Sequence, residues 1–393
     1  MAPGSQREPS VSVLSLPYSK QAIDDDDVAA VAAALREPLL TQGPTVGRFE
    51  SALADYLHAP HVSACANGTA ALHLAYLALG IGPGDEVVTS PITFSATAAA
   101  ALLCGARVVL ADVEPDTGLL DVDRVEAVLS PATRAVTAVH LAGLPADLGP
   151  LRELCDRRGI WLVEDAAHAL GAEYRGCRIG SGLAHAATFS FHPVKHITTL
   201  EGGAVAVSDA SLKQRLDRLR HHGIERDPAR FERLAAEPWT YEVQELGLNY
   251  RLSDVACALG LSQLLKQPMW LARRRRLAER YRQRLAADLP AVRPPAERQG
   301  RRSAYHLFAV RIDFAGHGLR RAQVMRGLAE RGIGTQVHYV PLSEQPLYRR
   351  HGAGAALDGA ASYYQQTLSL PMHHSMSESD VDHVVGALAE VLS

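Results

Sequence analysis

Residues 160–168 read Ile-Trp-Leu-Val-Glu-Asp-Ala-Ala-His. The first six combine apolar side chains over a length typical of a strand, and that strand would end on Asp165. In open α/β sheets, ligands bind outside the carboxyl ends of the strands. We therefore predict a strand over 160–165 that places Asp165 and His168 beside a ligand. For Asp165 considered alone, an N-terminal helix cap is an equally ordinary interpretation.

The chain before this strand alternates between helical and strand-like segments. Helices are predicted over 24–36, 69–79, 96–104, 121–129 and 148–158. Strands are predicted over 85–90, 107–112 and 135–140. Strands separated by single helices need crossover connections, and these build a mostly parallel sheet covered on both faces. The fold class is therefore α/β.

After Ser190 the pattern changes. Further strands are expected over 202–207 and 304–312, and further helices over 253–289, 320–331 and 379–392. Pro268 should break or kink the long segment 253–289 into two helices, because proline removes an N–H donor and clashes with the preceding turn. We predict a flexible tail over 1–20, a large domain over 21–265 and a smaller α+β domain over 266–393.

Composition excludes several classes of function. The chain carries 40 Lys and Arg against 43 Asp and Glu, a formal charge of −3, which lacks the positive field that nucleic acid or an anionic membrane attracts. Serines, threonines and a proline interrupt the uncharged run 87–106, so we expect no membrane span. Five scattered cysteines without Cys-x-x-Cys spacing favour a reducing cytoplasm over a disulfide framework. A small molecule is the expected partner.

The second informative stretch is 188–203, Thr-Phe-Ser-Phe-His-Pro-Val-Lys-His-Ile-Thr-Thr-Leu-Glu-Gly-Gly. It sets Lys195 among apolar and aromatic residues between two strand-like runs. Burying an unpaired ammonium costs on the order of several kcal/mol of folding free energy, so a lysine in such surroundings indicates a chemical role. Burial lowers the pKa of a lysine and provides the neutral amine that a Schiff-base nucleophile needs. An exposed loop lysine is the alternative for this segment taken by itself.

Three segments, 190–203, 164–171 and 67–72, together resemble the DegT/DnrJ/StrS family of nucleotide-sugar aminotransferases, which depend on pyridoxal 5′-phosphate (PLP). The resemblance extends from about Tyr18 to the C-terminus. It implies PLP-dependent transferase fold type I, the fold of aspartate aminotransferase. It also implies a cofactor that cycles between PLP and pyridoxamine phosphate (PMP), an amino-acid donor, expected to be L-glutamate, and a homodimer with active sites at the subunit interface.

Within that family, segments 40–43, 91–94, 247–252 and 336–339 are most similar to the aminotransferases of pseudaminic acid biosynthesis. These aminate C4 of a UDP-linked 4-keto-6-deoxy-N-acetylhexosamine. The chain departs from them at Pro38-Leu39, where a basic or polar residue is common, and at Leu200, where small residues such as glycine are common. A dTDP- or GDP-linked keto sugar and a keto-cyclitol therefore stay open as substrates.

The resemblance implies a role for each matching residue at the cofactor. Lys195 would form the Schiff base and carry the proton, Asp165 would pair with the pyridine nitrogen, and His168 would approach the ring or its 3-hydroxyl. Phe94 would stack on the ring face. The phosphate would be bound by Gly68, Thr69, Ala70, Ser190 and, from the neighbouring subunit, Asn249.

The same resemblance implies contacts to the sugar nucleotide, with Arg251 suited to the diphosphate. The implied substrate-binding residues are Tyr18, Pro38, Leu39, Leu40, Thr41, Thr69, Ser190, Asn249, Arg251, Gln336, Val337, His338 and Tyr339. Each of them would otherwise be an ordinary loop residue.

Other functions are less well supported. A PLP-dependent sugar dehydratase of this family has histidine in place of the Schiff-base lysine, whereas Lys195 is present here. A catalytically silent sugar-binding homologue would have the same residues, so only turnover separates it from an enzyme. No Gly-x-Gly-x-x-Gly follows the first strand, which weighs against a dinucleotide dehydrogenase. The pairs His221-His222 and His373-His374 have no nearby cluster of acidic residues at metal-ligand spacing, so no metal is expected.

Overall fold

The computed structural model describes residues 15–351 and 357–393. Its helices are α1 (Asp25–Ala34), α2 (Pro44–Leu57), α3 (Gly68–Ala78), α4 (Ala96–Leu103), α5 (Val122–Val128), α6 (Leu148–Arg158), α7 (Ala210–Leu219), α8 (Asp254–Asp288), α9 (Arg321–Glu330), α10 (Pro346–Arg350), α11 (Asp358–Gln366) and α12 (Glu378–Leu392). Its strands are β1 (His61–Cys65), β2 (Glu86–Thr89), β3 (Arg107–Leu110), β4 (Thr133–Val139), β5 (Trp161–Asp165), β6 (Glu173–Tyr174), β7 (Cys177–Arg178), β8 (Ala186–Ser190), β9 (Gly203–Val207), β10 (Ile224–Glu225), β11 (Glu242–Val243), β12 (Arg301–Arg302), β13 (Phe308–Arg311) and β14 (Thr367–Leu370).

A seven-stranded sheet forms the centre of the large domain, in the order β1-β9-β8-β5-β4-β2-β3. Strand β9 is antiparallel to both of its neighbours, and the remaining pairs are parallel. The prediction of an α/β fold with a mostly parallel sheet is confirmed. In register, Asp165 lies opposite Val139 on one side and Thr188 on the other, so the carboxyl ends of three strands meet at one edge.

Helices pack on both faces of this sheet because their inward residues are small or aliphatic. Helix α3 is buried along most of its length, and its alanines let it approach α4, α7 and strands β8 and β9 closely. Helix α2 presents Phe49, Leu53 and Leu57, all fully buried, to the opposite core. Both layers hold the sheet edge that carries Asp165 in a fixed position.

Helix α8 is continuous over 35 residues, so the prediction that Pro268 breaks it into two helices is wrong. A proline inside a helix costs about 3 kcal/mol. Side chains on both sides of it are buried, however: Leu264 before, and Trp270 and Leu271 after. Each such side chain contributes about 1.5–3 kcal/mol on burial, so packing outweighs the lost hydrogen bond.

The C-terminal part of the chain forms the smaller α+β unit. Strands β13 and β14 pair antiparallel, and their buried face packs against α9, α12 and the second half of α8. The first half of α8 instead packs on α1 and α2. Helix α8 passes from one domain core to the other between Leu271 and Leu277. Leu271 belongs to the core of the large domain, and Leu277 belongs to the core of the smaller domain.

The predicted N-terminal tail overlaps the described residues only at its end, since residues 1–14 lie outside them. Within 15–20, Leu16 is buried and exchanges backbone hydrogen bonds with Gly332 and Gly334. The Tyr18 carbonyl accepts from the Met372 N–H at 3.0 Å. The chain therefore meets the smaller domain before it enters the large one. No helix in the described ranges is both long and apolar enough to cross a bilayer.

Candidate active site

A cavity of about 930 Å³ opens at the carboxyl ends of β5 and β8. One wall is formed by the large domain, and the opposite wall by residues 336–348, which follow α9. Twelve of the residues predicted from the sequence line it: Tyr18, Gly68, Thr69, Phe94, Asp165, His168, Ser190, Lys195, Gln336, Val337, His338 and Tyr339. The topological rule for α/β sheets thus places the site at the expected edge.

Lys195 lies on the loop between β8 and β9, with its backbone N–H bonded to the His192 carbonyl at 2.8 Å. Lys195 lines the cavity, and no carboxylate oxygen of the described residues lies within 4.0 Å of its Nζ. Burial lowers the pKa of Lys195 to about 8, and the charge of Asp165 opposes that shift. A tenth or so of the amine is therefore neutral at pH 7.

The chain has three other lysines, Lys20, Lys213 and Lys266, and all of them lie within the described residues. Lys213 pairs with Glu50 and Asp217, and Lys266 pairs with the aspartates at the start of α1. Lys20 is exposed. None of the three lines the cavity, so Lys195 is the one amine available there.

The loop that carries Lys195 is closed by backbone hydrogen bonds. The Phe191 carbonyl accepts from the Thr199 N–H at 3.0 Å and from the Thr198 hydroxyl at 3.1 Å. Gly203 lies so close to α3 that a Cβ would be 2.4 Å from the Asn67 carbonyl oxygen, which explains the glycine. Leu200 adopts φ 70°, a conformation that favours glycine, and is exposed.

Asp165 is held at the end of β5 by two donors. The Thr97 hydroxyl lies 2.6 Å from Oδ2, and the Ala167 N–H lies 3.2 Å from Oδ1. The Thr93 hydroxyl is in turn 2.7 Å from that of Thr97. The carboxylate is buried and lines the cavity. These bonds fix its orientation toward whatever occupies the space in front of Lys195.

His168 follows Asp165 in the same loop and lies between two other rings. Its Nε2 is 3.3 Å from the Tyr339 hydroxyl, and its ring centroid is 4.4 Å from that of His306. Burial, and next the charge of Lys195, hold the pKa of His168 well below its usual range. The imidazole is therefore neutral at pH 7. Its Nδ1 is buried without a hydrogen-bond partner in the described residues.

An anion-binding cup lies at the start of α3. Gly68 and Thr69 open the helix and line the cavity, so their N–H groups and the helix dipole favour negative charge. A Cβ on Gly68 would be 2.8 Å from the Ser190 Cβ, so glycine is what lets the two segments meet. The N–H of Ala70 instead donates to the Asn67 side chain at 2.8 Å, and Ala70 does not line the cavity.

This set of residues fits PLP. The buried Lys195 amine, which has no carboxylate partner, could form a Schiff base with the aldehyde of the cofactor. The fixed Asp165 carboxylate suits the ring nitrogen, and the N-terminus of α3 suits the phosphate. The exposed ring of Phe94 and the neutral ring of His168 line the space between them. The chemistry of these donors therefore agrees with the cofactor that the resemblance implies.

Besides Ala70, six of the predicted substrate or cofactor residues lie outside the cavity: Pro38, Leu39, Leu40, Thr41, Asn249 and Arg251. They lie together on the surface. Thr41 bridges to Ser253, and the Leu40 carbonyl accepts from the Asp254 N–H at 2.9 Å. Arg251 Nη1 donates to His221 Nδ1 at 2.7 Å. This surface contributes nothing to the cavity of its own chain.

Sequence reasoning did not assign roles to Asn67, Thr97 and His306. Asn67 caps α3 and was visible in the motif Asn-Gly-Thr, since asparagine before a helix start is a preferred cap. Thr97 lies in an alanine-rich segment and carried no signal. His306 lines the cavity behind His168 and stands alone in a strand-like run.

Comparisons with known proteins agree with this geometry. The chain matches the DegT/DnrJ/EryC1/StrS aminotransferase family over residues 21–389. It is 36% identical over 381 residues to the spore coat polysaccharide biosynthesis protein SpsC of Bacillus subtilis (strain 168), with 96% of this chain and 97% of SpsC covered.

Solved structures are similar over the same length. Helicobacter pylori PseC, an aminotransferase involved in the biosynthesis of pseudoaminic acid, has a TM-score of 0.88 and 31% identity, with 96% of this chain and 99% of PseC covered. Spr1654 of Streptococcus pneumoniae in its PLP form has a TM-score of 0.87 and 27% identity, with 96% and 98% covered. A PMP form of Spr1654 is equally similar. These likenesses therefore include both domains and the cavity between them.

Proposed function

Because this chain belongs to the DegT/DnrJ/EryC1/StrS aminotransferase family and is a PLP-dependent sugar aminotransferase, we propose that it aminates the C4 keto group of a UDP-linked 4-keto-6-deoxy-N-acetylhexosamine. The amino donor in this proposal is L-glutamate. The observation that carries it is the position of Lys195 opposite Asp165, in a cavity with an anion cup at Gly68 and Thr69.

The roles of the residues follow from their positions. Bound PLP supplies the electron sink that makes a carbon–hydrogen bond beside the amino nitrogen acidic. Lys195 would move that proton, because its pKa near 8 leaves it able to accept and return one at neutral pH. Asp165 would provide the negative charge that pairs with the ring nitrogen, and Thr97 keeps that carboxylate in place.

His168 and Tyr339 form a second pair of residues in the site. The neutral imidazole of His168 offers a hydrogen bond to the ring hydroxyl without adding positive charge beside Lys195. Tyr339, bonded to His168 and lining the cavity, orients the sugar together with Tyr18, Gln336 and His338. Residues 336–348 also cover the cavity, and so they limit the access of water to it.

The cavity needs more positive charge than this chain provides. Among the described residues that line it there is no arginine, and Lys195 is committed to the cofactor. A sugar diphosphate and the carboxylates of glutamate are all anionic. We therefore assign Asn249 and Arg251 of a second copy to this site, with Asn249 at the cofactor phosphate and Arg251 at the diphosphate.

The surface around Asn249 supports such a dimer. The preceding segment exposes large apolar side chains, among them Trp239, Val243 and Leu246, and Leu246 is 90% exposed. Leu39 and Leu40 on the adjoining loop are exposed as well. Several large apolar side chains exposed on neighbouring segments are typical of a surface that becomes buried in an interface. We propose in the same way that Pro38, Leu39, Leu40 and Thr41 bind substrate in the cavity of the second copy.

A keto sugar on another nucleotide is the second candidate. SpsC, named for spore coat polysaccharide, is 36% identical to this chain, whereas PseC is 31% identical. Leu200, which has φ 70°, also departs from the small residue common in the pseudaminic acid enzymes. The amination chemistry is the same in both proposals, and the cytoplasmic location stays a prediction in both.

The test is transfer of ¹⁵N from labelled glutamate to a panel of keto sugars. Holoenzyme is incubated with the UDP-linked 4-keto-6-deoxy-N-acetylhexosamine, dTDP- and GDP-linked 4-keto-6-deoxyhexoses and a keto-cyclitol, and products are read by mass and by ¹⁵N-edited NMR. We expect label on C4 of the UDP sugar, and none with Lys195→Ala. Label only on another sugar supports the second candidate. Loss of the C3 hydroxyl without amination indicates a dehydratase, and no product with any sugar indicates a silent homologue.

A further inference from the structure

Arg274, on α8, is the largest fully buried side chain among the described residues, at 1% exposure. Its Nη1 donates to three backbone carbonyls: Met372 at 2.9 Å, Tyr305 at 3.2 Å and His306 at 3.4 Å. Its Nε and Nη2 have no hydrogen-bond partner in the described residues. One side of the guanidinium is thus satisfied and the other is not.

No carboxylate oxygen of the described residues lies within 4.0 Å of this guanidinium. A buried charge without a counter-ion costs several kcal/mol, roughly, and buried polar atoms without partners are rare enough to need an explanation. The two carboxylates that follow segment 372–376 are engaged elsewhere: Glu378 pairs with Arg276, and Asp380 caps α12 and accepts from the Ser377 N–H at 2.7 Å. The protein itself therefore does not neutralise Arg274.

Two neighbouring histidines also have buried ring nitrogens without hydrogen-bond partners in the described residues. His373 and His374 follow Met372, whose carbonyl Arg274 binds, and they are 4% and 8% exposed. All four of their ring nitrogens lack partners in the described residues. His374 stacks on Trp270, one turn before Arg274 on α8, at 4.2 Å between ring centroids. Arg274 and these two histidines, both close enough to feel its charge, thus have six buried nitrogen atoms without partners in the described residues.

Both histidines are neutral. Burial, and next the charge of Arg274, lower the pKa of His373 to about 4 and that of His374 to about 3. A neutral imidazole still has one N–H to donate. The group thus offers several donors and one positive charge. Among the described residues no cluster of His, Cys, Asp and Glu is arranged to hold a metal ion.

We propose that Arg274, His373 and His374 enclose a small monovalent anion of the halide class, bound where α8 meets the segment 372–376. An anion accepts from Arg274 Nε and Nη2 and from the imidazole N–H groups, and it supplies the missing negative charge. A water molecule would satisfy these donors but would leave the charge unbalanced. The occupant must be small, because its three protein ligands are almost completely buried.

This site would hold the two domains together. Arg274 comes from the helix they share, and the carbonyls it binds belong to the smaller domain, just before β13 and just after β14. His306, whose carbonyl is one of the three, packs its ring on His168 at 4.4 Å. The anion therefore supports the wall of the cofactor cavity from behind without entering it.

The test uses holoenzyme prepared without halide. Crystals soaked in sodium bromide should give an anomalous peak in hydrogen-bond contact with Arg274 Nε and Nη2. In solution, Tm should rise with chloride at constant ionic strength, relative to gluconate, and the rise should follow a single-site curve. At a chloride concentration one hundred times its Kd, the ratio of folded to unfolded protein increases about a hundredfold.

Three variants make the result specific. Arg274→Gln should abolish the chloride dependence, and His374→Phe, which retains the stack on Trp270, should weaken it. Arg276→Gln is the matched control, because Arg276 is largely exposed and pairs with Glu378; it should keep the full dependence. If Arg274→Gln does not fold, the bromide peak in the wild-type protein and the chloride dependence of His374→Phe still test the proposal. Water in place of bromide, or equal chloride dependence in all variants, overturns the proposal.

Discussion

The hydroxyl of Thr97 lies 2.6 Å from Asp165 Oδ2, across 68 positions of the chain. This bond joins the first turn of α4 to the end of β5 and fixes the carboxylate that faces Lys195. We predict that Thr97→Val, which has nearly the same shape, weakens PLP binding about ten- to a hundredfold, as expected for a hydrogen bond to a charged group.

Spectroscopic titration of the cofactor-free protein with PLP measures this effect. Thr93→Val is the matched control, since the Thr93 hydroxyl touches that of Thr97 at 2.7 Å and not the carboxylate. Its effect on affinity should be smaller. Equal affinities for wild type and Thr97→Val would show that Asp165 does not depend on this bond.

The pKa of Lys195, about 8, predicts how cofactor binding depends on pH. Only the neutral amine attacks an aldehyde, so the association rate should increase about fivefold from pH 7 to 8 and level off above pH 9. An ordinary lysine would instead gain tenfold per unit up to pH 10. Stopped-flow absorbance measures the rate. Asp165→Asn should move the profile to lower pH, because the charge of Asp165 raises this pKa.

The same shift predicts that Lys195 destabilises the cofactor-free fold. Its pKa is lower in the folded protein than in the unfolded chain, so below pH 8 the folded state carries the cost of a buried ammonium. That cost is relieved as pH rises from about 8 toward 10.5. Lys195→Met should therefore raise Tm at pH 7, and the gain should shrink by pH 10.

Lys213→Met is the control for this change, because Lys213 is paired with Glu50 and Asp217. It should leave Tm unchanged or lower it. Differential scanning calorimetry at both pH values gives the comparison. A lower Tm for Lys195→Met at pH 7 would mean that the amine stabilises the empty site.

The assignment of Asn249 and Arg251 to a partner's cavity predicts activity in mixed dimers. Lys195→Ala and the double variant Asn249→Ala, Arg251→Ala should each be inactive alone. In a mixed dimer one site carries both defects and the other carries none. Random mixing should therefore restore about a quarter of wild-type activity, given two equivalent sites per dimer. Native mass spectrometry confirms mixing; mixed dimers without activity would show that each site is built from one chain.

The sequence was sufficient for the elements whose pattern is local. The strands 85–90 and 160–165 and the helices 96–104 and 148–158 match β2, β5, α4 and α6 within about two residues at either end. It was insufficient for the elements whose structure depends on contacts between residues far apart in the chain. Helix α8 passes through Pro268 because both of its halves are buried against other helices. Helix α2 and strand β1 were not predicted, and β1 pairs with β9, about 140 residues away.

The residues of the site likewise fall into those that a sequence motif predicts and those that only tertiary packing brings there. Lys195, Asp165 and Gly68 lie in motifs with a recognisable chemical pattern, and the cavity brings all three together. Thr97 and His306 gain their positions only from packing: α4 against the end of β5, and the segment before β13 against His168. Arg274 was one of four consecutive arginines, and nothing in that run indicated which one would be buried.

Lysine mapping is the most direct test of the central claim, because the chain has four lysines and only Lys195 lines the cavity. Holoenzyme is reduced with borohydride and digested, and the peptides are analysed by mass spectrometry. We predict that the reduced cofactor is found on the peptide containing Lys195, and that prior incubation with glutamate removes it by converting the cofactor to PMP. Cofactor mass on Lys20, Lys213 or Lys266, or on no lysine, would contradict the assignment of this cavity as the active site.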